Sequence, residues 1–500
     1  MIDPGWGIKV GGRSVGSATA CRPSAPPPIA QLGPVVRPAF VPLAPAQERM
    51  WHAARGGLCA NWNVARAVRL RGAPVQVSAL RKALELLVAR HEPLRTRYPL
   101  TEHGPAQQVV DAGACPPDII DRPLAETDLR AALAELATRP FDLAHDLPFR
   151  ARLYVLGPDD VVVALVVHHI SVDGRSMGPL LRDLTTAYLA AVGGVAPAWE
   201  PLPVTYTDYT LWKHAQLGEF SDEGSRATQQ LRYWANALAG RPAVLELPGR
   251  PQCPGPVDPV AGALLPVAMD PATQAGLLRL AQDRRASLFM VLQAAFAVTV
   301  GSFARCSDVT VATAVSGRDH HLLNDLVGNF SDDVLMRVRL DRAADVDDLV
   351  DQVRRVALAA YAHADTPNLR LKRCLPQDAA HPLFQATLIL QRADTPRSSD
   401  APSESWISDV PIDVVRAKHD LEFSLTDHYD EHGAPAGIDG AFLYPLARFD
   451  EATGKAFLAH FTSVVERLAE GYRGSLTGLV RPGRRSKSCA VARQALRLLV

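Results

Sequence analysis

The chain carries no excess of charge of either sign. Its 500 residues hold 53 Lys and Arg against 53 Asp and Glu. That balance supplies no field to gather nucleic acid or an anionic membrane, so neither partner is expected. Paired cysteines are also missing. Cys21, Cys59, Cys115, Cys253, Cys306, Cys374 and Cys489 are scattered, and none forms a Cys-x-x-Cys pair. The common zinc and redox spacings are thereby excluded, and a reducing, cytoplasmic setting fits. No apolar run is long enough to span a bilayer. The amino end lacks the apolar core of a signal peptide, so "ATAC" before Arg22 is not a lipid-attachment site. A short internal repeat is absent too.

What is present is a globular composition, 47% apolar, over a length that calls for two lobes rather than one core. Residues 1–40 are rich in Gly, Ser and Pro and read as a disordered leader. Residues 479–500 form a basic tail without acids. Between them the pattern mixes helices and strands: a first lobe over 41–216, a connecting helix and Pro/Gly-rich linker over 217–259, and a second lobe over 260–478. In the first lobe, Leu80, Ala83, Leu84, Leu87 and Val88 share one helical face, with Ser78 as N-cap. "DDVVVALVV" reads as a buried strand and "GPLLRDLTTAYLAAV" as the helix after it. In the second lobe, "PATQAGLLRLAQDRRASLFMVLQAAFAVTVGSF" reads as two helices, with Ser287 capping the second. "DVTVATAV", "FQATLILQ", "LEFSLTD" and "GIDGAFLY" read as strands, and the segment from Glu451 as a closing amphipathic helix.

The chemistry concentrates where the buried strand ends, at "HHISVDGRSMG". A His at such a place is fixed in direction and suits general-base work near neutral pH. His169 is therefore the candidate base, with His168 beside it. Asp173 can shape the turn by pairing with an Arg, and Gly174 allows a backbone angle or close approach barred to a side chain. Three other readings stand beside this one. The histidines can be ordinary core residues. They can bind metal, although neighbours on a strand face opposite ways, so no metal is expected. Or Gly174 to Gly178, "GRSMG", is a nucleophile elbow that makes Ser176 a hydrolase nucleophile. Against the last, the same pattern recurs as "GRSVG" at Gly12, and the regular β-α alternation of such hydrolases is missing. Ser176 reads better as a helix N-cap. "HHLLNDL", from His320, has similar spacing but no Gly and reads as the start of a polar loop or helix.

These stretches fall in an order that resembles the condensation domains of nonribosomal peptide synthetases. "LAPAQERMW" (Leu43 to Trp51) is similar to the opening motif, with Ala44 in place of the usual Ser. "RHEPLRTRY" (Arg90 to Tyr98), "HHISVDG" and "YTDYTLW" (Tyr206 to Trp212) follow in sequence. "YWANALAG" and "LELPGRP" resemble the bridge between lobes. "VSGR" (Val315 to Arg318), "LVGNF" (Leu326 to Phe330), "HADTP" (His363 to Pro367) and "HPLFQATLIL" resemble motifs of the second lobe. Together they cover about residues 40–478.

The resemblance implies a mixed α/β fold of two chloramphenicol acetyltransferase-like sandwich lobes, arranged as a V-shaped pseudo-dimer. It implies transfer of an acyl or aminoacyl group from a carrier-protein phosphopantetheine thioester to an amine, or less often an alcohol. His169 would remove the amine proton or orient the amine. Asp173 would pair with an Arg, Arg318 from the second lobe or, failing that, Arg95. Ser316, Asn329 and Asp332 would lie on the acceptor side or elsewhere along the tunnel. No bound cofactor is implied, and the partners are a carrier protein in trans and a soluble amine or carrier-bound aminoacyl group. A monomer follows because the lobes already form the active-site interface. Carrier-serine and adenylation motifs are absent, which points to a free-standing enzyme. The D-F-G-W-G stretch of plant-type relatives is absent as well. One departure stands out: Ser331-Asp332-Asp333 replaces the family's Val-Asn-Thr, and two acids there would either face solvent or attract a cationic acceptor. A non-catalytic recruitment module of the same fold is the rival from another class.

Overall fold

The computed structural model describes residues 31–72, 75–249, 258, 260–366, 370–372, 375, 382–393 and 407–480. The leader up to residue 30, most of the Pro/Gly-rich linker, Pro367 and His381 of the two last motifs, and the tail from residue 481 lie outside the described residues. The first lobe is built on β1 (Asn63–Arg71), β2 (Asp118–Pro123), β3 (Phe149–Gly157) and β4 (Asp160–His168). Strand β4 runs antiparallel between β1 and β3, with Asn63 opposite His168 and Phe149 opposite Val167.

Both faces of β4 are covered, which explains its unbroken apolar run. Val161, Val163, Leu165 and Val167 pack on one side against Leu80, Leu84, Leu87 and Leu180. Those residues belong to the helices Val77–Arg90 and Met177–Val192. Val162, Ala164 and Val166 pack on the other side against Leu129, Leu133 and Leu136 of the helix Glu126–Thr138. Each buried Val or Leu contributes about 1.5–3 kcal/mol, so the strand's end is held stiffly. The helix Val77–Arg90 presents the expected face, but it starts one residue before Ser78. Gln76 occupies the N-cap position without a side-chain cap, so Ser78 is inside the helix and does not cap it.

The second lobe is a six-stranded sheet of β5 (Gly262–Met269), β6 (Asp308–Val315), β7 (Asp332–Arg339), β8 (Ala386–Arg392), β10 (Leu421–Tyr429) and β11 (Pro435–Pro445), in the order β7-β6-β8-β10-β11-β5. The helix Leu288–Ala304 is buried almost all round, and Ser287 caps it by accepting from the Met290 N–H at 3.3 Å. Among the described residues no single helix is long and apolar enough to cross a membrane.

Two sequence boundaries shift. Residues 31–40 are placed, not free: Leu32 is buried with Tyr206 and Tyr209, and the Val35 N–H donates to Asp208 Oδ1 at 2.9 Å. An apolar side chain and a carboxylate acceptor were available to hold a stretch whose composition reads as disordered. The second-lobe chain also crosses back. Strand β9 (Ile407–Asp409) joins the first-lobe sheet beside β1, with Ile407 opposite Leu70. The sheet order there is β9-β1-β4-β3-β2, so residues 260–478 are not one uninterrupted lobe.

Candidate active site

The loop between β6 and β7, residues 316–331, carries the second-lobe motifs "SGR" and "LVGNF" and reaches over the turn after β4. Arg318 donates from Nη2 to Asp173 Oδ1 at 2.9 Å and from Nη1 to the Leu326 carbonyl at 2.7 Å; Nη1 also reaches the Leu323 carbonyl. The guanidinium stacks 4.1 Å over the Phe330 ring. The second Asp173 oxygen accepts from the Phe330 N–H at 3.2 Å. Ion pair and stacking are both buried, so the pair is charge-assisted and shielded from water. Arg95 lies elsewhere and donates to the Val110 carbonyl at 2.5 Å.

Ser176 completes the lock. Its hydroxyl is fully buried, lies 2.8 Å from Asp173 Oδ1 and 2.9 Å from the Gly328 carbonyl, and accepts from the Gly328 N–H at 3.1 Å. The single hydroxyl proton serves Asp173 or Gly328, and the remaining oxygen capacity is used. That disposes of the nucleophile reading, since the oxygen neither meets solvent nor is free to attack. It also corrects the N-cap reading. Ser176 makes no side-chain cap for the helix Met177–Val192; Asp173 instead caps the intervening turn by accepting from the Ser176 N–H at 2.9 Å.

Two glycines in the clasping loop are required by space. Gly317 has φ +61°, and an added Cβ would sit 2.0 Å from the Phe330 carbonyl oxygen. A Cβ on Gly328 would sit 2.1 Å from the Tyr206 ring. Gly174 differs from its sequence reading. It has no left-handed φ, and an added Cβ would meet only Gln391 Nε2, at 4.0 Å. The residue leaves open room beside the turn and relieves no strain.

His168 and His169 face opposite ways. His168 is buried; its Nδ1 accepts from the Ile170 N–H at 3.1 Å and its ring meets Phe141 edge-on at 6.1 Å. Burial pushes its basicity down to about 3. It is a wall, not a reagent. His169 is half-buried, with Nδ1 sealed and unpaired, which leaves Nε2 as the nitrogen a reactant reaches. Its ring stands perpendicular to Trp62 at 6.0 Å. Burial, then the nearby Lys418 and Arg49 charges, push it down to about 3 as well. His169 is thus neutral at ordinary pH, able to accept a hydrogen bond but a weak base. Gln47 and Tyr98, from the first two motifs, fix the turn. Gln47 Nε2 donates to the Ile170 carbonyl at 3.0 Å, and the Tyr98 hydroxyl lies 2.8 Å from Ser171 Oγ.

The far side of His169 was not visible in the sequence. Arg49 lies 4.9 Å from the Trp62 ring centroid and Lys418 Nζ lies 5.0 Å from it, while Arg49 also pairs with Asp333. No local spacing connects Trp62, Arg49 and Lys418; only the fold does. Asp332 and Asp333 begin strand β7, opposite Val315 and Ala314, and do not sit in a solvated loop. Asp333 is buried against Arg49. Burial pushes the Asp332 carboxyl up to about 7, although Arg49 pulls against it. A carboxyl so easily protonated, beside a neutralised neighbour, is a poor trap for a cationic acceptor. Ser316 is exposed in the clasping loop. Asn329 is fully buried and donates to the Ala46 carbonyl at 3.3 Å, so it braces the lobes and does not line a tunnel.

The condensation-domain family model matches residues 38–479. This chain belongs to the condensation-domain family. The domain is 38% identical over 440 residues to an isonitrile lipopeptide synthase of Mycobacterium tuberculosis, covering 86% of this chain and 17% of that one. It is 36% identical over 439 residues to a dimodular nonribosomal peptide synthase of Bacillus subtilis, covering 86% and 18%. The condensation domain therefore spans less than a fifth of the length of these relatives. Among solved structures it is similar to the X-domain in the complex of the X-domain and OxyB from teicoplanin biosynthesis, with TM-score 0.80, 29% identity, and 91% and 99% of the two chains covered. Its neighbours share the chloramphenicol acetyltransferase-like fold.

Proposed function

We propose that this condensation domain joins an acyl group, carried as a thioester on the phosphopantetheine arm of a carrier protein, to an amine. The observation that supports it best is a neutral His169 with an accessible Nε2, held at the junction of two lobes by the Asp173–Arg318 lock. The amine nitrogen attacks the thioester carbonyl carbon, a C–N bond forms, the tetrahedral intermediate collapses and the C–S bond breaks. The proton lost by the amine ends on the departing thiolate. Confining both reactants supplies about 7–11 kcal/mol of the barrier reduction. With its basicity lowered, His169 orients the amine by accepting its hydrogen and takes the proton only as attack makes the nitrogen acidic. His168, Asp173 and Gly174 shape the turn that presents it. An alcohol in place of the amine gives an ester by the same path. The reaction needs no metal and no bound cofactor. The domain works in the cytoplasm as a monomer on a group presented by a carrier protein.

The likeness to an X-domain solved with OxyB favours a second reading, a module that docks another protein. Intact-mass detection separates the two. Acyl-loaded carrier proteins are mixed with the domain and a panel of amines, for wild type and His169→Ala. Amide product that collapses in the variant is the expected result. Carrier binding without turnover on any pairing would transfer the assignment to the docking module, and free acid alone, unaffected by the variant, would point to hydrolysis elsewhere.

A further inference from the structure

A second concentration of charge lies on the second lobe, away from the histidines. The helix Pro271–Asp283, the turn Leu340–Arg342 and the helix Val346–Ala362 frame a cleft of about 550 Å³. Its lining is arginine and aspartate throughout, with no apolar or aromatic side chain. Part of that charge is answered. Arg284 pairs with Asp351, its Nε donating to Oδ1 at 3.1 Å. Asp348 is engaged at the start of its helix, where Oδ2 accepts from the Ala344 N–H at 3.2 Å. Four further guanidiniums, of Arg285, Arg342, Arg354 and Arg355, make no ion pair with a carboxylate among the described residues. Arg354 and Arg355 use only Nε, on the Arg285 carbonyl at 2.8 Å and the Asp351 carbonyl at 3.3 Å.

We propose that this cleft binds a compact polyanion of the phosphate class, pyrophosphate or a short polyphosphate, at a site distinct from the one at His169. The length of β7 separates the two by roughly 20 Å: Asp333 at its start pairs with Arg49, and Arg342 comes just past its end. Like charges gathered around one space repel until an anion joins them. The guanidinium fork matches phosphate oxygens two at a time, and a polyphosphate concentrates several charges within a few bonds. A lone carboxylate engages one fork and leaves the others open. The backbone adds a second sign. Arg285 follows its helix at φ +50°, the left-handed conformation that glycine adopts freely and a side chain resists, and it lines the cleft from there. The volume falls within the range of about 300–1,000 Å³ usual for small-molecule sites. The all-charged lining nonetheless gives a nucleobase nothing to stack on and an acyl chain nothing to lie against. The inference does not rest on the condensing reading.

The test is isothermal titration calorimetry on the full chain in phosphate-free buffer, with pyrophosphate, tripolyphosphate, ATP, sulfate and an oligo-glutamate peptide as probes. Both polyphosphates are expected to bind about tenfold or more tightly than sulfate or the peptide, because the forks read oxygen geometry as well as charge. Affinity should fall as salt is raised. Arg342→Gln should weaken binding by about tenfold, and Arg355→Lys, which keeps the charge but loses the fork, should weaken it less than Arg355→Gln. Arg285→Gly should also weaken binding while melting no lower than wild type, since glycine removes the guanidinium and suits the left-handed turn. Unfolding then does not account for the loss. No heat from either polyphosphate would overturn the site. Binding unchanged in both Arg285→Gly and Arg342→Gln would overturn its placement in this cleft. A peptide that binds as tightly as tripolyphosphate would make the cleft a docking surface for acidic protein and overturn the ligand class. ATP binding well above tripolyphosphate would overturn it too, because a base contact would then be needed.

Discussion

The two flanks of His169 are built on opposite terms. On the Asp173 flank most polar groups answer one another: both carboxylate oxygens are bonded, the Ser176 hydroxyl is saturated, and the Arg318 Nη atoms are spread over a carboxylate and two carbonyls, with only Nε buried without a partner. On the Trp62 flank cations gather over an indole, and one of them, Lys418, is left open. Densely bonded buried polar networks specify one geometry. One flank holds the histidine through a bonded network, and the other leaves Lys418 exposed over an indole.

The largest expected effect comes from breaking the closed flank. Arg318→Ala leaves Asp173 buried and unpaired, which costs about 3–5 kcal/mol. Calorimetry should show a marked drop in Tm together with loss of transfer; an unchanged melt would mean the lobes are held elsewhere. His169→Ala should do the reverse, lowering turnover by about 10²–10⁴-fold with a nearly unaltered melt. Gly328→Ala sharpens the contrast within the closed flank, because its new methyl collides with Tyr206. Overpacking of that kind costs about 1–3 kcal/mol, and a Gly328→Ala protein as stable as wild type would show that the loop yields.

Smaller effects concern protons. His168 and His169 lie near 3 when folded against an ordinary 6.5, so between these values the unfolded chain binds more protons. Their contribution is full above about pH 6.5 and is lost as pH falls towards 3. Urea titrations across that window should show stability declining with acid, less steeply in His168→Gln. Asp332 has the opposite sign. Its folded value is raised to about 7, so the folded state holds the extra proton, and stability falls as pH rises from 3.8 through 7. Asp332→Asn should thus gain stability relative to wild type at pH 8 more than at pH 5. No gain would mean that Arg49 already compensates the charge.

Much of the closed flank could be read from the chain, because it is local or carried in compact motifs. The run Val161–Val167 announces a strand with two covered faces, and Asp173 and Ser176 sit within one turn of it. Gln47 and Tyr98 also lay inside recognisable motifs. The open flank was illegible, since Arg49, Trp62 and Lys418 come from three elements with no shared periodicity. Asn329 was misplaced because an amide side chain serves equally as a lining or a brace, and only burial distinguishes them. Asp332 and Asp333 looked like a solvated charge run until the register of β7 put them opposite Val315 and Ala314.

The return of β9 to the first-lobe sheet sets a limit on dissection of the molecule. Cut at the linker, the amino-terminal half would lose the strand that covers β1 and would present a row of unpaired backbone donors and acceptors. Such an edge invites pairing with other copies of itself. The two halves are thus expected to be soluble only when produced together, and the histidine-bearing half is a poor candidate for transplantation into another enzyme on its own.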